Sequence, residues 1–219
     1  MGKSFDMYCA VARALEVVGD RWTLLVVREL LTGPKRYADL RAGLPGIATN
    51  LLAERLRGLQ QADLVRQRTL APPAASTVYE LTDRGRALQP VLQALGVWGL
   101  QLLGPPRDGE QFRLAWLMIA LDARYQPAAC PQPVTVALHV DDETLTVTAD
   151  GRQHTISDGA PADADISVTA DRPTFLAWAI GRLSDAEALA AGMDVTGGAA
   201  GLHRLRRMYP AAEPSTSGD

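Results

Sequence analysis

In the stretch Thr49-Asn50-Leu51-Leu52-Ala53-Glu54-Arg55-Leu56-Arg57-Gly58-Leu59-Gln60-Gln61, polar groups and leucines recur at helical spacing. On a helical wheel Leu52, Leu56 and Leu59 fall together. Asn50, Glu54, Arg57 and Gln61 share the opposite face, with Thr49, Ala53 and Gln60 on its flank. That outward face carries groups able to hydrogen-bond base edges, since an asparagine amide can meet adenine bidentately and a guanidinium can do the same to guanine. A helix in a major groove makes its base contacts from its N-terminal turns, where Thr49, Asn50 and Ala53 stand. Arg55, on the border of the leucine face, is placed for a phosphate. So are Lys35 and Arg36 upstream, and Arg66 and Arg68, which alternate onto one face of a predicted strand. A solvated amphipathic helix beside a solvated hairpin would share this pattern, but charge, element order and turn chemistry agree on a nucleic-acid surface.

Other chemistry is poorly provided for. His139, His154 and His203 are scattered without metal-ligand spacing. There is no G-x-S-x-G elbow, no phosphate-binding P-loop and no G-x-G-x-x-G. Asp141-Asp142-Glu143 reads as turn chemistry rather than a metal site. The expectation is a protein that is not an enzyme and has no cofactor or metal.

The elements that must position the polar face lie in the first hundred residues. Helices are expected over Phe5 to Val18, Arg21 to Leu31 and Tyr37 to Arg41, and a fourth from an N-cap at Thr49 to about Ala62. Gly43-Leu44-Pro45-Gly46 makes the turn between the third and fourth. Extended runs Leu64 to Leu70 and Thr77 to Leu81 flank a loop, residues 71–76, that reads as a hairpin tip. Thr82 can cap a last helix through Leu103, bent at Pro90. Three helices followed by a two-stranded hairpin is the order of a winged helix-turn-helix.

Composition and charge support that division. The chain has 219 residues, 47% apolar and 21% charged, a globular balance. The net charge of −3 hides an asymmetry: residues 1–104 carry +4 and residues 105–219 carry −7. A basic front half is the one expected to meet a polyanion. The longest apolar run, Leu114 to Leu121, is far too short for a membrane span, and the first residues lack the apolar core of a signal peptide. Two cysteines make no disulfide framework, so the cytoplasm is the expected location, with no membrane partner. The expected domains are 1–104, 105–210 and a disordered tail at 211–219, divided at Gly104-Pro105-Pro106-Arg107-Asp108-Gly109.

The run Cys9-Ala10-Val11-Ala12-Arg13-Ala14-Leu15-Glu16-Val17-Val18-Gly19-Asp20-Arg21-Trp22 resembles the opening of the HxlR-type regulators, a bacterial winged-helix family related to the MarR proteins. The resemblance continues through Leu44-Pro45-Gly46-Ile47-Ala48-Thr49-Asn50-Leu51-Leu52, Arg55-Leu56 and Val78-Tyr79-Glu80-Leu81-Thr82-Asp83-Arg84-Gly85. It implies a homodimeric, sequence-specific transcriptional regulator of double-stranded DNA, with repression the expected mode of action. Leu88, Val91, Leu92, Leu95, Trp98 and Leu102 form an apolar stripe that a two-fold partner would cover, though a second domain could cover it instead. Dimerisation would set two reading helices about 34 Å apart, hence a palindromic operator. Cys9 stands where some HxlR-type proteins have a redox-responsive cysteine, but Ala10 replaces the proline common after it, and a free cysteine is usually a small buried hydrophobe.

The second half is predicted as α+β: an antiparallel sheet with helices on one face. An amphipathic helix is expected over Arg113 to Tyr125, with Trp116, Leu117, Ala120 and Leu121 on one side. Strands follow over Val134 to Val140, Thr144 to Thr148, Arg152 to Ile156 and Ile166 to Thr169. Then come helices over Pro173 to Ile180 and from Ser184, a strand over Met193 to Thr196, and a helix over Gly201 to Tyr209. The segments Asp163 to Thr169, Gly181 to Ala188 and Gly192 to Gly198 resemble the sterol carrier protein fold. That resemblance implies a pocket for a small apolar, acyl or aromatic ligand. Trp116, Phe175, Leu176, Trp178, Ile180, Met193, Leu202 and Met208 are its candidate lining, each of which would also serve as plain core. Arg204, Arg206 and Arg207 could meet an anionic head group or simply form a solvated helix face.

Three functions stay open on the sequence. The first is a DNA-binding regulator whose second half senses a ligand. In the second, that half is a structural or partner-binding module with no ligand. The third is an apolar-ligand carrier or enzyme whose winged helix mediates protein contacts.

Overall fold

The computed structural model describes residues 4–71, 75–100, 102–103, 107, 109–152 and 154–210. The centre of the predicted hairpin tip (72–74), most of the predicted linker (104–106 and 108) and the predicted tail (211–219) lie outside the described residues. The chain divides into two compact units, Met1–Leu92 and Gln93–Asp219.

The first unit opens with α1 (Ala10–Val18), shorter than the predicted helix from Phe5. Asp6 takes a left-handed φ of 53°, and the Glu16 carboxylate accepts from the Phe5 amide at 2.9 Å, so residues 5–9 fold back instead of continuing the helix. Next come α2 (Thr23–Leu31) and α3 (Tyr37–Ala42), which bury Val26, Val27, Leu30 and Leu40. Then α4 (Thr49–Gln61) seats Leu52, Leu56 and Leu59 in the same core. Thr49 is its first helical residue rather than its cap. Ala48 holds the cap position with extended backbone and no side-chain bond.

The wing pairs β1 (Val65–Thr69) with β2 (Thr77–Leu81), antiparallel, with Arg66 opposite Glu80 and Arg68 opposite Val78. Thr82 caps as predicted, its hydroxyl accepting from the Gly85 amide at 3.0 Å. The helix it opens is broken, however, into α5 (Asp83–Arg86) and α6 (Gln89–Leu100), the latter crossing the division between the units. Pro90 sits in the first turn of α6, where its missing N–H costs nothing, so the chain restarts a helix there instead of bending one. A β-carbon at Gly85 would stand 2.0 Å from the Leu64 carbonyl oxygen, so only glycine lets α5 pass the start of the wing.

In the second unit α7 (Leu114–Asp122) is buried nearly all round, not amphipathic: Leu114 and Leu117 through Asp122 are all inside. The sheet comprises β3 (Val134–Val140), β4 (Glu143–Ala149), β5 (His154–Asp158), β6 (Ile166–Ala170) and β7 (Asp194–Val195), in the order β5-β4-β3-β6-β7. It is mixed, and this corrects the antiparallel expectation: β6 crosses back to lie parallel to β3, with Val136 opposite Ile166 and Leu138 opposite Val168. Alternation along a strand marks its buried face but not its neighbour, so the crossover left no trace in the pattern.

One face of that sheet carries Val136, Leu138, Leu145, Val147, Ile166 and Val168 into the core. There they join side chains of α7, α8 (Arg172–Ala179) and α10 (Gly198–Met208). The Asp171 carboxylate caps α8, accepting from the Thr174 amide at 2.7 Å. The predicted Ser184–Glu187 capping box is present and opens α9 (Asp185–Ala190). The last helix begins earlier than predicted, its N-cap Gly197 in the left-handed conformation at φ 81°.

Candidate nucleic-acid interface

The leucine face of α4 is inside, so its polar face is outside: Thr49, Asn50 and Arg57 are exposed and Ala53 is half-buried. The N-terminus of the helix is held by α3. The Tyr37 hydroxyl donates to the Thr49 carbonyl at 2.7 Å and so orients the turn that carries Thr49 and Asn50. The Arg57 side chain lies back along its own helix, its Nε 3.4 Å from the Ala53 carbonyl, and would swing outward to reach a base.

The cations around this face are differently employed. Arg55 is tied to Asp20 and, at 2.9 Å, to Glu54, with its side chain only 19% exposed. It braces α4 against the turn before α2. The Lys35 backbone exchanges two hydrogen bonds with Tyr79, adding a third short rung to the wing. Arg36 donates from Nε to the Ser76 hydroxyl at 3.1 Å, linking the start of α3 to the base of the hairpin loop. Arg66 and Arg68 lie on one face, as expected from their spacing, and both bond the Glu80 carboxylate, at 2.8 and 2.9 Å. Those two guanidinium groups hold the Glu80 carboxyl below the usual carboxylate range.

Sequence reasoning missed Tyr37, Asp20 and Glu80. Glu80 was recoverable from hairpin register, but only once the length of the paired segment was known.

The sequence that builds this helix and wing has relatives. The family profile described as HxlR-like helix-turn-helix matches residues 17–106. The HTH-type transcriptional regulator YodB of Bacillus subtilis (strain 168) is 36% identical over 92 residues, which cover 42% of this chain and 82% of YodB. The chain belongs to the HxlR-like helix-turn-helix family. A second relative, the uncharacterized HTH-type transcriptional regulator YvaP of the same organism, is 31% identical over 93 residues, covering 42% of this chain and 86% of YvaP. The solved reduced form of YodB from B. subtilis aligns with 46% of this chain and all of its own, at 34% identity and a TM-score of 0.39.

The other residues singled out in this HxlR chain fall as follows. Val91, Leu95, Trp98 and Leu102 are exposed, Trp98 to 60%, whereas Leu88 is half-buried. Leu92 is buried within its own chain, so it stands outside the exposed stripe and cannot offer itself to a partner as expected. Cys9, expected as a small buried thiol or a redox group, is exposed at the N-cap of α1; Cys130 is buried.

In the second unit the space beneath the sheet is a cavity of about 20 Å³, lined by Met118, Leu121, Val136, Leu138, Val147, Phe175, Trp178, Leu205 and Tyr209. Of the predicted lining only Phe175 and Trp178 border it. Met193, Leu202 and Met208 are plain core, Leu176 and Ile180 pack against that core half-buried, and Trp116 is half-buried on α7. Arg206, its side chain 18% exposed, stacks over Trp178 at 4.3 Å and bonds Asp185 at 3.2 Å.

A buried polar cluster that sequence reasoning passed over joins distant segments of this unit. Asp122 bonds Gln93 of α6 and pairs with His154, whose ring lies 4.2 Å from that of Tyr125 and 6.1 Å from that of Tyr209. Burial pushes the His154 imidazole below its ordinary value, against the pull of Asp122. Burial also raises the Tyr209 phenol, helped by Asp122. A histidine whose folded pKa is depressed binds a proton less readily than in the unfolded chain. Its contribution is therefore whole above the ordinary imidazole pKa and lost as pH falls through it. Thermal melts from pH 7.5 to 5 should show a falling midpoint, and His154→Gln should flatten that fall. Parallel curves for the two proteins would refute the assignment.

Proposed function

We propose that this HxlR-family chain is a homodimeric, DNA-binding transcriptional repressor of the cytoplasm that reads a palindromic duplex with the exposed face of α4. The observation that carries this is the split of that helix: three leucines buried and Thr49, Asn50 and Arg57 exposed beside an arginine-bearing wing. Its relatives YodB and YvaP, named as HTH-type transcriptional regulators, support it. The apolar stripe of Val91, Leu95, Trp98 and Leu102, left exposed, supports a two-fold partner. Among the described residues no helix is long and apolar enough to cross a membrane.

The second unit, with its five-stranded sheet and one helix-covered face, is read as a sterol-carrier-like module for an acyl or aromatic effector. A ligand there changes DNA affinity only by favouring one dimer arrangement over another. A second reading has a specific observation behind it. A core cavity of about 20 Å³ holds little more than one water, which favours a structural module with no ligand buried in its core. The carrier or enzyme reading has no such support.

Fluorescence anisotropy against the DNA upstream of the protein's own gene and a scrambled duplex, at two salt concentrations, tests the first claim. Salt-dependent binding that prefers the upstream duplex is expected, and no binding at low salt would sink it. For the dimer, Trp98→Glu should give the monomer mass in sedimentation and weaken operator binding about a hundredfold. A dimer of unchanged stability would place the interface elsewhere.

A further inference from the structure

The wing holds an acid in the middle of its basic surface. Glu80 lies on β2 directly across from Arg66 and diagonal to Arg68, on the face that carries both arginines. Its side chain is only 8% exposed beneath them, while theirs remain 67% and 48% exposed. One carboxylate oxygen takes the Nε–H of Arg66 at 2.8 Å and the other that of Arg68 at 2.9 Å. The two Nε donors are therefore spent inward, and the outer guanidinium nitrogens face solvent at a spacing set by one carboxylate. The three side chains together carry one net positive charge in place of two.

Resting on the DNA-binding reading above, we propose that Glu80 is a positioning residue for specificity. It fixes Arg66 and Arg68 in register for the duplex backbone and cancels one of their charges, lowering indiscriminate attraction to DNA. Two mobile guanidinium groups would find a phosphate on any sequence. Two held ones contribute fully only when the duplex has docked with α4 in its groove.

The test uses the full chain, a duplex it selects from a random pool, and a scrambled duplex of equal length, titrated over a range of salt concentrations. Glu80→Gln removes the charge and keeps the shape. It should tighten binding to the scrambled duplex about three- to tenfold, steepen the slope of log K against log salt by up to about 0.9 per protomer, and narrow the preference for the selected duplex. Glu80→Asp keeps the charge but cannot span both arginines. It should keep the wild-type slope and lose preference, and it carries the test if Glu80→Gln fails to fold. In an Arg66→Ala, Arg68→Ala background Glu80→Gln should no longer narrow the preference for the selected duplex.

An unchanged slope in Glu80→Gln, wild-type preference in Glu80→Asp, or an undiminished effect without the arginines would each overturn the proposal. Failure of the unaltered protein to select any duplex would instead overturn the DNA-binding reading, and the role of Glu80 with it.

Discussion

Asn50→Ala is expected to lower affinity for the selected duplex about 5- to 150-fold, the equivalent of about 1–3 kcal/mol for one lost bidentate base contact. Binding to a scrambled duplex should stay within about threefold, because no charge is removed. Asn50 stands in the first turn of α4, exposed, next to the Thr49 carbonyl that Tyr37 holds in place. Its amide is thus aimed from a fixed turn, not from a mobile loop. Arg57 makes an informative contrast. It sits two turns further along, folded toward the Ala53 carbonyl. Arg57→Ala should weaken both duplexes, the selected one more, since it removes a charge as well as a base contact. Equal losses on the two duplexes in Asn50→Ala would show that the reading face is not the N-terminal part of α4. Anisotropy titrations at one fixed salt concentration distinguish these outcomes.

Phe175→Ala is the second large effect. Phe175 is 1% exposed at the heart of the second unit, its ring 5.8 Å from that of Trp178. Truncating a buried phenylalanine typically costs about 3–5 kcal/mol, because the lost transfer energy is joined by the cavity left behind. Here the void opens onto the existing gap of about 20 Å³, so the neighbours have little with which to refill it. Urea unfolding followed by tryptophan fluorescence should show a lower midpoint, with Trp178 reporting from beside the void. An unchanged midpoint would mean that the core collapses around the deletion. The enlarged void would also be a place to look for uptake of an aromatic compound.

Much of the first unit was legible in the sequence. The leucine spacing of α4, the Gly/Pro turn before it, the wing strands and the Thr82 cap all rest on local rules that act within a few residues. The polar face of α4 follows from the same periodicity, which by itself turns Thr49, Asn50 and Arg57 outward. What was misread shares a cause. The start of α1, the restart at Pro90 and the all-round burial of α7 each depend on what lies against the segment, and a helical wheel is blind to that.

The candidate site divides along the same line. Which residues face outward on α4, and that Arg66 and Arg68 share a side of the wing, can be read from the residue order, because helix and strand periods are properties of the backbone. Only the tertiary structure decided what each cation is bonded to. Arg55 is tied to Asp20, Arg206 is locked on Trp178, and Glu80 gathers two arginines from the neighbouring strand. The same holds for the parallel pairing of β3 with β6 and for the buried meeting of Asp122, His154 and Tyr209. The physical reason is range. Periodicity and capping act between residues a turn apart, whereas an ion pair or a strand neighbour joins residues far apart in sequence, and which partners meet depends on how the whole chain packs.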